Sequence, residues 1–320
     1  ERFFFDVILL LISLLFTFFN PSIMSSPSIH RLSFGQLEAQ ISTMGAECIS
    51  LKKNGLEFLW QANPKVWGRH APVLFPIVGK LKDNQYFHNG ETYTMGQHGF
   101  ARDRNFELIE KTEQELTMVL KADDLSKKVY PFDFELFIQY SLSENGMDVT
   151  YSVRHPSDNE TLLFSIGAHP GFACPLEPEK ESFSDYLIDF GQKEINKLPL
   201  YTLEDGLISS HKKTLALDAG KIALDYNLFE NDALILDVDP ITSISVCSQK
   251  TGKGFAMEFS DFKWLGIWTK EKDAKFVCLE PWNGIAATTD HDGSLENKLG
   301  IEKLRPQGLH KAGFKVDLLG

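Results

Sequence analysis

Closely spaced cysteines are missing from this chain. Its 320 residues hold four, Cys48, Cys174, Cys247 and Cys278, scattered and with no CxxC pair. A thiolate zinc site needs ligands close together, and a disulfide scaffold needs a far higher cysteine density, so free thiols in a reducing compartment are expected. There is no HxH or HExxH spacing either, and lone histidines far apart make a poor ligand set, so no metal is expected. GxGxxG and GxxxxGK[ST] are absent, which leaves no glycine loop to cradle a cofactor phosphate, and no cofactor is expected. No serine lies in a GxSxG elbow to serve as an activated nucleophile. Long basic blocks are also lacking: 32 Lys and Arg stand against 44 Asp and Glu, a net charge of −12. Nucleic acids and anionic membranes attract Lys/Arg-rich surfaces, so neither is expected as a partner, although a local basic pocket for a phosphorylated metabolite stays open. Finally, no stretch of helical length has a persuasive 3.6-residue period, and there is no internal repeat or low-complexity linker.

One long apolar run is present, at the start. Phe3–Phe19 is interrupted only by Asp6, Ser13 and Thr17, a composition that suits a signal peptide or a short membrane anchor. Against that, Arg2 is its one positive charge, Asp6 sits inside the run, and Met24-Ser-Ser-Pro-Ser would open a cytosolic protein. We expect residues 1–27 to be an extension outside the fold and residues 28–320 to form one domain. A cytoplasmic location follows, or a secretory or membrane-anchored one should residues 1–20 be translated.

From residue 28 onward the pattern has period two. Leu116, Met118 and Leu120 point one way, and Phe134, Leu136, Ile138, Tyr140 and Leu142 share one face, because successive side chains of a strand take opposite faces. Asn54-Gly55, Asn89-Gly90 and Asn145-Gly146 sit between such runs as hairpin turns, the last joining Phe134–Leu142 to Met147–Arg154. Gln40–Ile49, Phe106–Thr112, Leu162–Ile166, Tyr186–Phe190, Ala233–Leu236, Ser243–Val246, Phe255–Phe259, Leu265–Thr269 and Phe276–Leu279 read as further strands. Many short strands with turn signals between them predict an all-β fold, a large antiparallel β-sandwich. Its broad sheets would give a concave face, rimmed by the loops Pro175–Ser184 and Lys193–Lys213.

Four segments break the alternation and gather polar groups with Gly and Pro. They are Arg69-His-Ala-Pro-Val-Leu-Phe-Pro-Ile-Val-Gly-Lys80-Leu-Lys-Asp83, Gln97-His98-Gly-Phe-Ala-Arg102-Asp-Arg104, Ser165-Ile-Gly-Ala-His169-Pro-Gly-Phe172 and Leu279-Glu280-Pro-Trp282-Asn-Gly-Ile285. His169 and Glu280 share one grammar: an apolar strand, a titratable residue, a proline and a turn. With metals, cofactors and a serine nucleophile set aside, what remains is acid/base chemistry by two histidines and one or two carboxylates, with Arg or Lys as electrostatic support.

These four segments, in this order, resemble the aldose 1-epimerase (galactose mutarotase-like) superfamily, and most closely its LacX-like branch, from about Ser28 to Lys315. The resemblance implies a β-supersandwich and an enzyme, an isomerase, that interconverts the α and β anomers of a sugar. It implies Glu280 as general base, His169 as general acid and His98 as a sugar-binding histidine, and it carries a sugar-binding aspartate onto Asp232 in Phe229-Glu-Asn-Asp-Ala-Leu234. Many members have an arginine in the first motif where this chain has Lys80. Lysine keeps the charge but loses the planar fork, so either Arg69 or Lys80 is the cation that meets substrate. Trp282, with Phe100 or Phe172, could face the apolar side of a sugar, and Arg102 with its basic neighbours could hold a phosphate. The expected partner is therefore a free aldose or a hexose phosphate. Two other readings remain: a non-catalytic carbohydrate-binding sandwich, and a glycoside hydrolase with Glu280 and Asp232 flanking the scissile bond.

Overall fold

The computed structural model describes residues 26–270 and 274–320, so the apolar run Phe3–Phe19 lies outside the described residues. Among the described residues no helix is long and apolar enough to cross a membrane. The fold is the expected all-β one, built from antiparallel sheets, and two of these carry it.

A nine-stranded sheet runs from Lys221–Ala223 through Tyr186–Asp189, Ser243–Ser248, Gly254–Glu258, Leu309–Leu319, Gly146–Arg154, Glu135–Leu142 and Glu115–Lys121 to Glu107–Lys111. Its alternation is the one the sequence predicts. Leu136, Ile138, Tyr140 and Leu142 are buried, while Glu135, Phe137, Gln139 and Ser141 between them are half-exposed. An eight-stranded sheet packs against it in the order Leu207–Ala216, Lys197–Glu204, Leu234–Asp237, Trp264–Trp268, Phe276–Asn283, Ile166–Ala168 and Val73–Leu74, with Gly171–Ala173 also paired to Phe276–Asn283. Val277, Leu279, Leu265, Ile267, Leu234 and Leu236 join the same core as Leu136 and Ile138. Burying each such side chain is worth about 1.5–3 kcal/mol. The four-stranded N-terminal sheet, Ile29–Phe34, Leu37–Ser42, Cys48–Lys53 and Leu56–Glu57, adds Leu32, Ala39 and Leu51 to it.

The alternate residues of the eight-stranded sheet point away from that core. On Phe276–Asn283 these are Phe276, Cys278, Glu280 and Trp282, and all four are buried again on the outer side. Trp264, Trp268 and Ile235 share that side. The centre of this sheet is thus covered on both faces, whereas Lys197–Glu204 and Leu207–Ala216 at one edge are mostly half-exposed or exposed.

Several local expectations change. Gln40–Ile49 is not one strand: the chain turns between Leu37–Ser42 and Cys48–Lys53, with Ala46 at φ 46°. Leu162–Ile166 divides at Ser165 into Leu162–Phe164 and Ile166–Ala168, which belong to different sheets. Asn54-Gly55 and Asn89-Gly90 do turn with positive φ at both positions, but Asn145-Gly146 does not. There Ser143 N–H bonds Gly146 O (2.9 Å), so Glu144 and Asn145 form the tip. Gly146 is already in its strand, where a Cβ would lie 1.8 Å from Val316 O. Lys193–Lys213 is not a loop but mostly the hairpin of Lys197–Glu204 and Leu207–Ala216. Pro175–Ser184 borders a separate surface depression, away from the site described next.

Candidate active site

The site is built where the strand breaks at Pro170, between two short strands, beside Pro281 of the neighbouring strand. Phe276–Asn283 does not stop at Leu279, as its Glu-Pro sequence suggested, but runs through Glu280, which pairs with Gly266, and Pro281, which pairs with Leu265. Lys263 N–H donates to Trp282 O (3.2 Å), so main-chain alternation turns the Pro281 nitrogen to the opposite side. On that side the partner is broken. Gly167 pairs with Trp282 and Gly171 with Cys278, while Ala168, His169 and Pro170 between them face Leu279, Glu280 and Pro281 off the ladder. A proline that cannot donate is therefore accommodated. The same break releases His169 towards Glu280, and its Nε2 lies 3.1 Å from Glu280 Oε2.

This pair borders a cavity of about 310 Å³ on the outer face of the eight-stranded sheet. Glu280 is 1% exposed and His169 9%. The His169 ring stacks on Trp67 (centroids 5.0 Å, 28°) and meets the edges of Trp268 (5.7 Å, 82°) and His98 (5.8 Å, 88°). Trp282 lies across the sheet as part of the cavity lining, its indole N–H donating to Ala168 O (3.2 Å). Two glycines make room for it: a Cβ at Gly167 would come within 2.5 Å of the indole, and one at Gly266 within 2.6 Å.

His98 is fixed in one tautomer by Gly79. His98 N–H donates to Gly79 O (2.9 Å), and Gly79 N–H donates to His98 Nδ1 (3.1 Å). Gly79 sits at φ 76° with Ala286 backbone 2.5 Å from where a Cβ would be, so glycine is required there. Because Nδ1 accepts, the proton of the neutral ring is on Nε2, and that N–H is the donor His98 offers. The Gln97 side-chain amide, 3.2 Å from Nε2, must then present its oxygen to it. Burial first, then the positive charges nearby, hold His98 well below the ordinary imidazole range, which keeps it neutral.

The remaining expected residues divide. Arg102 and Asp232 line the cavity with His98, His169, Glu280 and Trp282. Arg102 Nη2 donates to Gln97 O (2.7 Å), and its buried Nε, without a hydrogen-bond partner among the described residues, lies 3.8 Å from Asp103 Oδ2. Asp232, at φ 77°, accepts from Ala233 N–H (2.8 Å). Arg69 and Lys80 do not line the cavity. Arg69 is held by Asp103 (2.9 Å), and Lys80 Nζ donates to Asp205 O (2.8 Å) at the tip of the Lys197–Ala216 hairpin. Phe100 and Phe172 belong to the core and not to the cavity, Phe172 stacking on Phe255 at 4.2 Å. The aromatic walls are instead Trp67 and Trp268, which sequence reasoning missed.

The electrostatics of the pair differ from the sequence expectation of an ion pair across a cleft. The two groups touch, and both shifts favour neutral forms. Burial, with Asp232 adding to it, pushes Glu280 well above the usual carboxylate range. Burial, with Arg102 and Arg69 adding to it, brings His169 down to about 3. In the ligand-free site the proton the pair shares therefore rests on Glu280. Such an arrangement can give a proton at one atom and take one at another, about 3 Å apart, in a half-enclosed cavity with a neutral imidazole N–H and a guanidinium beside it.

Known proteins resemble this chain over most of its length. The sequence profile of the family described as aldose 1-epimerase matches residues 28–297. The chain is 34% identical over 290 residues to the chromosomal protein LacX of Lactococcus lactis subsp. lactis, which covers 88% of this chain and 97% of that protein. Among solved structures, a galactose mutarotase related enzyme from Lactobacillus acidophilus superposes with a TM-score of 0.86 at 37% identity, over 91% of this chain and 97% of the other. A galactose mutarotase-like protein from Lactobacillus casei ATCC 334 gives 0.82 at 27% identity, over 91% and 100%.

Proposed function

The chain belongs to the aldose 1-epimerase family, and from that membership we propose that it is a sugar isomerase that interconverts the α and β anomers of a free aldose. The observation that carries the reading is the His169–Glu280 contact of 3.1 Å at the wall of a cavity large enough for a monosaccharide.

A cyclic hemiacetal opens when O1 loses its proton while the ring oxygen gains one. Glu280 takes the O1 proton and His169 protonates the ring oxygen. The C1–C2 bond then rotates, and the same two groups act in reverse to close the other anomer. The pair needs one mobile proton for this, carried by His169 in the working state, whereas in the ligand-free site it rests on Glu280. Sugar hydroxyls that donate to the carboxylate replace its lost hydration and move the proton across. Neutral His98 turns its Nε2 proton from the Gln97 amide oxygen to a sugar oxygen, and the Arg102 guanidinium, which borders the cavity, meets a hydroxyl. Trp67, Trp268 and Trp282 give apolar surface for the C–H face of the ring. Of the cations weighed for a phosphate, Arg69 is held by the Asp103 carboxylate and Lys80 by the main-chain carbonyl of Asp205, which leaves the Arg102 guanidinium as the one of these three that lines the cavity. That supports a free aldose over a hexose 6-phosphate.

One observation favours a second reading. Asp232 shares the cavity with Glu280 and raises its proton affinity, as a hydrolase would need for a carboxylic general acid. Both are tested in one experiment. Freshly dissolved α-galactose, α-glucose and α-glucose 6-phosphate are followed by polarimetry, and aryl glycosides by nitrophenol release. Anomerisation of the free sugars well above the buffer rate, with no nitrophenol, is expected. Sugar binding without acceleration would leave a carbohydrate-binding protein.

A further inference from the structure

One group beside the pair has no part in acid/base chemistry. Cys278 stands two residues before Glu280 on Phe276–Asn283, so both side chains leave the same face of the strand. Sγ of Cys278, a ring nitrogen of His169 and a carboxylate oxygen of Glu280 all lie within 4.8 Å of one another. The three residues are buried, and Cys278 is in no disulfide. His169 Nδ1 is also buried, without a hydrogen-bond partner among the described residues. The thiol thus stands idle beside the His169 Nε2–Glu280 contact, at the wall of the cavity. The spacing rules of CxxC and HExxH do not find this set, because it comes from i and i+2 on one strand and a third residue across a strand break.

We propose that His169, Cys278 and Glu280 form a three-ligand site for one soft or borderline divalent cation, Zn²⁺ or Cd²⁺, whose binding closes the sugar site. One nitrogen, one sulfur and one oxygen ligand suit such an ion, and a coordination position is left towards the cavity. A thiolate in the set selects against Mg²⁺ and Ca²⁺, which prefer oxygen alone. Bond lengths of about 2.0–2.3 Å would bring the donors to about 3.5 Å from one another. His169 and Glu280 are already at 3.1 Å, so closing up is asked mainly of Cys278, by about an ångström. As the metal bonds form, the thiol proton of Cys278 and the proton held on Glu280 both leave to solvent, and no electron is transferred. The ion takes both proton-transfer groups, so it competes with the sugar. That consequence rests on the isomerase reading, whereas the binding itself does not.

The test is a Cd²⁺ titration of the chelator-treated chain, read by the ultraviolet charge-transfer absorption of a cadmium–thiolate bond. A Cys247→Ala reference protein removes the half-buried thiol. We expect the band to saturate at one equivalent, and Cys278→Ala to abolish it. Cd²⁺ affinity by calorimetry should fall more than about 100-fold, the upper end of what losing an outer-shell partner costs. His169→Gln should weaken binding while the band survives. Should Cys278→Ala not fold, Cys278→Ser, closer in volume, must lose the band as well. A band that persists in either Cys278 variant, or no band in the reference protein, overturns the site. In the anomerisation assay, Zn²⁺ should slow the reference protein at concentrations that leave Cys278→Ala at its own metal-free rate. A protein that shows the band, loses it with Cys278 and anomerises no sugar would support the metal site and overturn the isomerase reading instead.

Discussion

The two large sheets share one core and differ in what lies behind them. The outer face of Glu135–Leu142 in the nine-stranded sheet is half-exposed, whereas the outer face of Phe276–Asn283 in the eight-stranded sheet is buried from end to end. All five tryptophans belong to that second outer face: Trp264 and Trp282 in one cluster, and Trp60, Trp67 and Trp268 packed on the other. A sheet with a wet face needs polar side chains there and does no more than enclose the core. A sheet covered on both faces can dehydrate a carboxylate and an imidazole, which changes their proton affinities. One sheet therefore holds the fold, and the other holds the fold and the candidate site.

The comparison breaks first at Glu280 and His169. We expect Glu280→Gln or His169→Asn to lower the catalysed anomerisation rate by about 10²–10⁴-fold, the usual worth of a positioned acid or base. Denaturation midpoints should stay near that of the parent, since each variant removes a group whose charged form is disfavoured by burial. Near-parental rates in both would remove the assignment of roles. The counterpart in the other sheet is Ile138→Ala, which opens the shared core and should cost about 2–5 kcal/mol in chemical denaturation while the folded fraction keeps its rate. A rate loss beyond the folded fraction would show that the two sheets are coupled and not divided in labour.

Legibility follows the same division. The nine-stranded sheet is readable because alternation between core and water leaves a period of two, as in Phe134–Leu142. On the eight-stranded sheet alternation fades where both faces are apolar, and Glu280-Pro281 looks like a stop although the strand runs on to Asn283. His98, His169, Glu280, Arg102, Asp232 and Trp282 were all found from motifs and resemblance, and all six border one cavity. Trp67 and Trp268 were not, because each stands outside the four motifs; the signal was the tryptophan content itself. The fates of Arg69 and Lys80 were unreadable because their partners, Asp103 and Asp205, lie 34 and 125 residues away. Chain separation hides such contacts in a way that periodicity does not.

A smaller effect tests how the wall of the site is held. Gly266→Ala would set a methyl group 2.6 Å from the Trp282 ring, so the indole must move. We expect a loss of about 1–3 kcal/mol in stability, typical of overpacking, together with weaker sugar binding. Unchanged binding would mean that Trp282 does not face the sugar. The pH profile tests the buried face next. His169 at about 3 means that the pair gains its second proton only in strong acid, and a raised Glu280 means that it loses its last one above the ordinary carboxylate range. In the proposed mechanism the singly protonated pair is the working form, so kcat/KM should be bell-shaped, with its acid limb well below the value of about 6.5 for a free imidazole. Each pH unit beyond a limb costs about tenfold. An acid limb at pH 6–7 would show that His169 titrates as though exposed.

The smallest expected effect belongs to Lys80, and it is informative because two readings of it differ in kind. As the cation that meets substrate, Lys80 would belong to the chemistry of the buried face. As the structure has it, Lys80 bonds Asp205 O at a hairpin tip, and the adjacent Gly206 borders the cavity with its Cβ position 3.2 Å from the lysine stem. Lys80 then acts on the sugar only through the tip. A hydrogen bond of this kind is worth about 0.5–1.5 kcal/mol, so Lys80→Ala should raise KM by no more than about tenfold and leave kcat where it was. Proteolysis near Asp205-Gly206 should quicken in the same variant, because the tip loses its tether. A fall in kcat with unchanged proteolysis would instead put Lys80 in contact with the reacting sugar. The charge of the first motif would then have to reach the cavity by a rearrangement of the hairpin.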